Sequence, residues 1–325
     1  HATAPTFDPN NTKTVSESLM RNPSVQDIYE PGSTGKVMTL AAALEEKKIT
    51  PETVLTVPYS IKRGGDTFHD HERHPVQKLT TSGILAVSSN TGTIKIGEML
   101  SNDTLHDYLS KFGMGKSTGS GLPGESTGIL RPVSDWSGTT APTVAFGQGY
   151  SLTAMQATSI FATIANDGVR VSPTVIAGTS DASGKFTASS ARTNERVISA
   201  TTAQQLRIMM ESVVSGQGTA PSAAVPGYRV AGKTGTAMRF NSELRKYSGY
   251  TASFIGFAPA DAPAYVVSVT IQEPQGIHWG GALGGPVFAT VMKFVLQSKH
   301  IAPSTTKLKA YPLTEAELKK SASAK

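Results

Sequence analysis

The chain has 325 residues, no cysteine, 38% hydrophobic and 17% charged residues, and a formal net charge of +6. That length and apolar content support a sizeable core, in one large domain or a domain with a subdomain, and the lack of cysteine excludes disulfides and thiolate metal sites. The basic residues are scattered without interleaved aromatics, which argues against nucleic-acid binding, and no stretch approaches the ~18 apolar residues of a membrane span.

The opening, His1-Ala2-Thr3-Ala4-Pro5, reads as mid-phrase, so any anchor or targeting segment is expected upstream. Residues 1–29 are a polar lead-in to Glu30-Pro31-Gly32-Ser33-Thr34-Gly35-Lys36, and a helix with Val37, Met38, Leu40, Ala41 and Leu44 as its apolar stripe follows. Ser33 and Lys36, three apart, fall on one helix face. A serine hydroxyl needs a base to become a nucleophile at neutral pH. A neutral lysine serves if burial and a second cation lower its pKa from about 10.4. Alone the pair is weak: Ser304 and Lys307 repeat the spacing in a polar tail.

Val54–Val57 reads as a short strand. The stretch His69-Asp70-His71-Glu72 with His74 invites a metal reading, but no ligand quartet at the required spacing exists, so it reads as a solvated loop and no metal or cofactor is expected. Leu79–Val87 is a helical run ending at Ser88-Ser89-Asn90-Thr91-Gly92, and Thr93–Leu100 and Leu105–Phe112 continue the helical pattern. Thr153 to Gln156 and Thr202 to Gln205 have capping-box spacing before two further helices, and residues 172–196 between them read as a loop or hairpin. Period-2 segments follow at Tyr228–Met238, Thr251–Phe257 and Tyr265–Ile271. The last two are joined too tightly for a crossover and are expected antiparallel. Val287, Phe288, Val291, Met292, Val295 and Leu296 predict one face of a closing helix. Residues 302–325 read as a polar tail with one helical turn at Thr314–Leu318.

Three short elements occur in order: Ser33-x-x-Lys36, Ser88-x-Asn90 and Lys233-Thr234-Gly235-Thr236. Their chemistry is complementary. The Ser88 hydroxyl can relay a proton, and the Asn90 amide can both donate to and accept from a peptide bond. Lys233 with the hydroxyls of Thr234 and Thr236 makes a donor-rich edge for a carboxylate. Gly235 is read as letting substrate approach the strand closely.

These motifs resemble the set found in penicillin-binding proteins and serine β-lactamases. With Phe7-Asp8-Pro9-Asn10, Gly121-Leu122-Pro123-Gly124-Glu125, Phe146-Gly147-Gln148-Gly149 and Phe254-Ile255-Gly256-Phe257, the chain resembles the transpeptidase domain of a class B penicillin-binding protein of the FtsI division type, in an actinobacterial form. The resemblance covers nearly the whole chain except the tail. It implies an α+β fold, an antiparallel sheet with helices on both faces, over residues 1–301. It adds a mainly helical subdomain within 48–150, with 302–325 as a tail. It further implies that Ser33 is acylated by the penultimate D-alanine of a stem peptide, with Lys36 as base and Ser88 passing the proton to the leaving amine. Asn90 would hold the acyl side chain. Lys233, Thr234 and Thr236 would bind the terminal carboxylate, and the Ser33 and Thr236 N–H groups would form the oxyanion hole. β-Lactams would stall as acyl-enzymes. An upstream membrane helix would place the domain on the extracytoplasmic face, where an FtsW-type glycan polymerase and other division proteins would be its partners.

Two alternatives share these motifs. A serine β-lactamase or D,D-carboxypeptidase is one, and a class A β-lactamase would carry a Glu-x-x-Leu-Asn that is absent between Asn90 and Lys233. A β-lactam sensor domain is the other. The segment Arg239–Tyr250 is read either as a mobile connector or as a lid, in which Phe240, Tyr247 or Tyr250 covers bound ligand and Trp279 meets it.

Overall fold

The computed structural model describes residues 1–13, 15–189, 194–241 and 246–323, with backbone alone at 240 and 241. Its largest sheet has three antiparallel strands: β1 (Ala231–Asn241), β2 (Lys246–Ala258) and β3 (Tyr265–Gln272). They lie in chain order, so β1 is an edge. Lys233 is opposite Ile255, Thr236 opposite Ala252, and Ala258 opposite Tyr265, which gives the expected antiparallel pair with longer strands.

The helices that position the site are α1 (Lys36–Glu45), α2 (Thr81–Ala86), α3 (Asn90–Gly97), α4 (Ala154–Ala165), α5 (Ala200–Val214), α6 (Gly280–Ser298) and α7 (Glu315–Ser323). Successive β2 side chains point to opposite faces, and both sets are buried. Phe254 packs edge-on against Phe288 of α6 at 4.8 Å between ring centres. Ile255 and Phe257 point the other way, towards the face that α4 and α5 cover. Helices therefore lie on both faces of the sheet. The helix α6 buries Phe288, Met292 and Leu296 but leaves Val287 and Val291 exposed, so the expected apolar face is narrower than the sequence pattern.

Every residue of α1 from Lys36 to Leu44 is buried. A helix enclosed on all sides belongs to the core, so α1 is the centre of the molecule and not the half-buried helix that its stripe predicts. The 48–150 region is less helical than expected. It contains two antiparallel ladders, Val54–Val57 with Gln77–Thr80 and Ser60–Arg63 with Asp66–His69. The second turns on Gly64 and Gly65, both at positive φ, the conformation a two-residue hairpin demands.

The tail is not loose. Thr80 caps α2 through the Gly83 N–H, while its own N–H donates to Leu313 O at 3.0 Å and its hydroxyl donates to Pro312 O at 2.6 Å. A Cβ on Gly83 would stand 1.9 Å from Leu313 O, so glycine inside α2 is what admits the tail. The helix that follows, α7, runs about two turns where one was expected.

Candidate active site

Ser33 stands in a 3-10 turn, Gly32–Thr34, one residue before α1 begins. Gly32 holds φ +54, and its N–H donates to Gly147 O at 2.8 Å. The Ser33 hydroxyl makes no hydrogen bond among the described residues.

Lys36 is fully buried. Its Nζ donates to Ser88 O at 2.5 Å and to Asn90 Oδ1 at 2.7 Å, with Ser88 Oγ at 3.3 Å. A neutral amine has two protons and one lone pair. The two acceptors engage the protons, which leaves the lone pair to take a proton from a neighbour. Burial lowers the pKa of Lys36 to about 7, against the opposing pull of the Asp70 carboxylate. Lys233 is equally buried and is held well below the ordinary lysine value by burial and by Lys36. The two amines share one desolvated site and cannot both be charged cheaply.

The second motif is built by a helix end. Ser89 N–H donates to Ile84 O and Ser88 N–H to Leu85 O, the paired bonds of a Schellman motif. Ser88 takes the left-handed position at φ +60 that glycine usually fills, at a cost of order 1 kcal/mol. Ser89 then caps α3 through the Gly92 N–H. This reversal presents Ser88 Oγ to Lys233 Nζ at 2.9 Å. The amide of Asn90 is engaged at both ends, Oδ1 by Lys36 and Nδ2 by His69 O at 3.0 Å.

On β1 the third motif alternates. Thr234 and Thr236 face the α6 side, where Thr234 bonds Thr219 at 2.8 Å and Thr236 Oγ1 accepts the Gly280 N–H at 3.1 Å. Lys233 and Gly235 face the other way. A Cβ on Gly235 would lie 2.9 Å from Pro31 O and 3.0 Å from Thr34 Cγ2. The nearest atom, Ser253 Oγ, would be 2.4 Å away, so the absence of a side chain here suits the packing of β1 against both β2 and the Ser33 turn.

Sequence reasoning missed the support behind the second motif. Asp70, read as part of a solvated loop, is only 6% exposed. Its carboxylate accepts from Ser89 Oγ at 2.7 Å and from the Thr91 N–H at 2.9 Å, and meets His74 Nε2 at 3.0 Å. His71 reaches the opposite wall, with its ring 4.2 Å from that of Trp279. Trp279 touches His278, which stacks on Tyr250 at 4.0 Å. The Ser89 hydroxyl, beside an acidic loop about 20 residues upstream, was the available signal.

Of the segment read as a connector or lid, Ser242–Arg245 and the Phe240 side chain lie outside the described residues. The flanking strands pair as far as Asn241 and Lys246. Tyr247 bonds Glu30, and among the described residues Tyr250 reaches Trp279 through His278.

Residues 1–293 match the family described as the penicillin binding protein transpeptidase domain. The chain is 41% identical over 307 residues to penicillin-binding protein PbpB of Mycolicibacterium smegmatis, covering 91% of this chain and 47% of that protein. It is 35% identical over 311 residues to peptidoglycan D,D-transpeptidase FtsI of Escherichia coli, covering 93% and 49%. It thus spans about half the length of these curated relatives. The crystal structure of penicillin binding protein 3 from Mycobacterium tuberculosis, complexed with ampicillin, superposes with a TM-score of 0.84 at 40% identity, over 90% of this chain and 67% of that one. With the three motifs meeting around one buried amine pair, the chain belongs to the penicillin-binding protein transpeptidase family.

Proposed function

We propose that this chain is the catalytic domain of a peptidoglycan D,D-transpeptidase that works through a Ser33 acyl-enzyme and is blocked by β-lactams. The observation that carries the reading is Lys36, a buried amine with both neutral-state protons engaged and a pKa of about 7. In this reading Ser33 Oγ attacks the carbonyl carbon of the penultimate D-alanine and its proton passes to Lys36. The Ser33 and Thr236 N–H groups hold the oxyanion. The C–N bond breaks, Ser88 relays a proton to the departing D-alanine amine, and an acceptor amine from a neighbouring strand then displaces Ser33. Lys233, Thr234 and Thr236 bind the donor carboxylate. β1 as a sheet edge suits an extended peptide. Asn90 holds the acyl side chain after ligand frees its amide from His69 or Lys36.

The names FtsI and PbpB among its relatives support a septal role. By the same analogy the domain works on the extracytoplasmic face, tethered by an upstream helix beside an FtsW-type polymerase. Labelled penicillin tests the core of the reading. The parent should carry one adduct on Ser33 that persists for minutes or longer, and Ser33→Ala none. Release within seconds would favour a β-lactamase. A stable adduct without transfer of a D-Ala-D-Ala peptide to an acceptor amine would favour a sensor.

A further inference from the structure

Glu30 lies three residues before the nucleophile and has no part in the steps above. Its Oε1 accepts the Gly149 N–H at 3.0 Å and the Tyr247 hydroxyl at 3.2 Å. One carboxylate oxygen therefore joins three elements: the Ser33 turn, the Gly147-Gln148-Gly149 loop, and the β1–β2 hairpin. The loop in turn accepts the Gly32 N–H through Gly147 O, at 2.8 Å. A Cβ on Gly147 would lie 1.8 Å from Gly32 O, so loop and turn are in direct backbone contact.

The same carboxylate is poorly placed for stability. Its Oε2 is buried with no partner among the described residues, and so is the hydroxyl of Tyr150 nearby. Burial raises the pKa of Glu30. A buried oxygen left unsatisfied costs stability. Tyr150 presses its hydroxyl where a Cβ on Gly35 would be, at 2.2 Å, between the nucleophile and its base in sequence. An acid kept at such a cost immediately behind a nucleophile points to a task other than holding the fold.

The task follows from which elements it links. An oxyanion hole needs two N–H groups at a fixed separation, here one from the Ser33 turn and one from β1. Gly235 lets turn and strand touch at one end. Glu30 ties the turn to the far end of the same hairpin, at Tyr247. We propose that Glu30 is a positioning residue for acyl transfer, which sets the spacing between the Ser33 and Thr236 N–H groups by bonding the nucleophile turn to the third-motif hairpin. This rests on the transpeptidase reading of the site.

The test compares acylation by labelled penicillin in the parent, Glu30→Ala, Glu30→Gln, Tyr247→Phe and the Glu30→Ala/Tyr247→Phe double variant. The parent comes first: failure to label it would refute the functional reading, not the role of Glu30. Misplaced oxyanion donors slow the chemical step and leave initial binding intact. Glu30→Ala should therefore lower the saturating acylation rate about tenfold, with the half-saturating penicillin concentration changed less than about twofold. Glu30→Gln retains an acceptor oxygen and should recover most of the rate. Tyr247→Phe removes one exposed hydroxyl without threatening the fold and should slow acylation by about threefold. The double variant should be no slower than Glu30→Ala, because Glu30→Ala already removes the bond to the Tyr247 hydroxyl. Parental rates in Glu30→Ala, or a Gln variant as slow as Ala, would overturn the proposal. If Glu30→Ala does not fold, Tyr247→Phe at the parental rate would overturn it alone.

Discussion

Lys36 and Lys233 converge on one hydroxyl: Ser88 Oγ lies 3.3 Å from the first amine and 2.9 Å from the second. A proton leaving either amine passes within hydrogen-bond reach of the other through a single oxygen. The two amines are thus coupled, and protonation constants measured at this site belong to the pair.

The first prediction concerns Lys36 as the proposed base. Lys36 must be neutral to accept the Ser33 proton, so acylation by penicillin should rise with pH through an apparent pKa near 7 and then level off. Lys36→Arg keeps the charge but does not deprotonate, and acylation should be lost. A stopped-flow rate profile from pH 5 to 9 checks both. Acylation of Lys36→Arg near the parental rate would remove the base assignment.

Asp70 gives a second, with two readouts that move differently. Asp70→Asn leaves Ser89 Oγ and the Thr91 N–H competing for one acceptor, which should cost about 1–3 kcal/mol in urea unfolding and lower the plateau acylation rate by about tenfold. The Asp70 charge also raises the proton affinity of Lys36. Removing it should move the acidic limb of the profile to lower pH even as the plateau falls. A purely structural defect would lower the plateau and leave the limb in place.

The ring chain across the cleft predicts an effect on the adduct. His71 comes from the loop behind the second motif, while His278 and Trp279 lead into α6, beside the third. Side chains that close over a site exclude water from it. Trp279→Ala should shorten the life of the penicillin adduct several-fold, with acylation slowed by less than about twofold. An unchanged lifetime, followed by mass spectrometry, would exclude a shielding role.

The tail supplies the fourth. Gly83→Ala would drive a methyl against Leu313 O, where the ideal Cβ already stands 1.9 Å away. Displacing the tail from α2 should cost about 1–3 kcal/mol, read as a lower unfolding midpoint. Acylation should slow with it, because α2 ends in the reversal that presents Ser88. A parental midpoint would show that the tail rests on α2 without bracing it.

Much of the candidate site's membership was legible in the chain itself. Ser33 with Lys36, Ser88 with Asn90 and the Lys233–Thr236 run are short motifs whose residue types and local geometry carry their meaning, and the strand pair at Ala258 and Tyr265 follows from a connection too short for a crossover. What local pattern could not supply was which side chains end up opposite one another. Asp70 reads as a loop acid until Ser89 is folded onto it 19 residues later. Nothing local to Gly235 or Gly83 announces that Pro31 will lie against the first and Leu313 across the second. Glu30 meets Tyr247 across 217 residues. Period and composition report the neighbours a residue has along one helix or strand. The depressed pKa of Lys36 depends on desolvation by every element packed around it, and that is decided only when distant segments close on the same site.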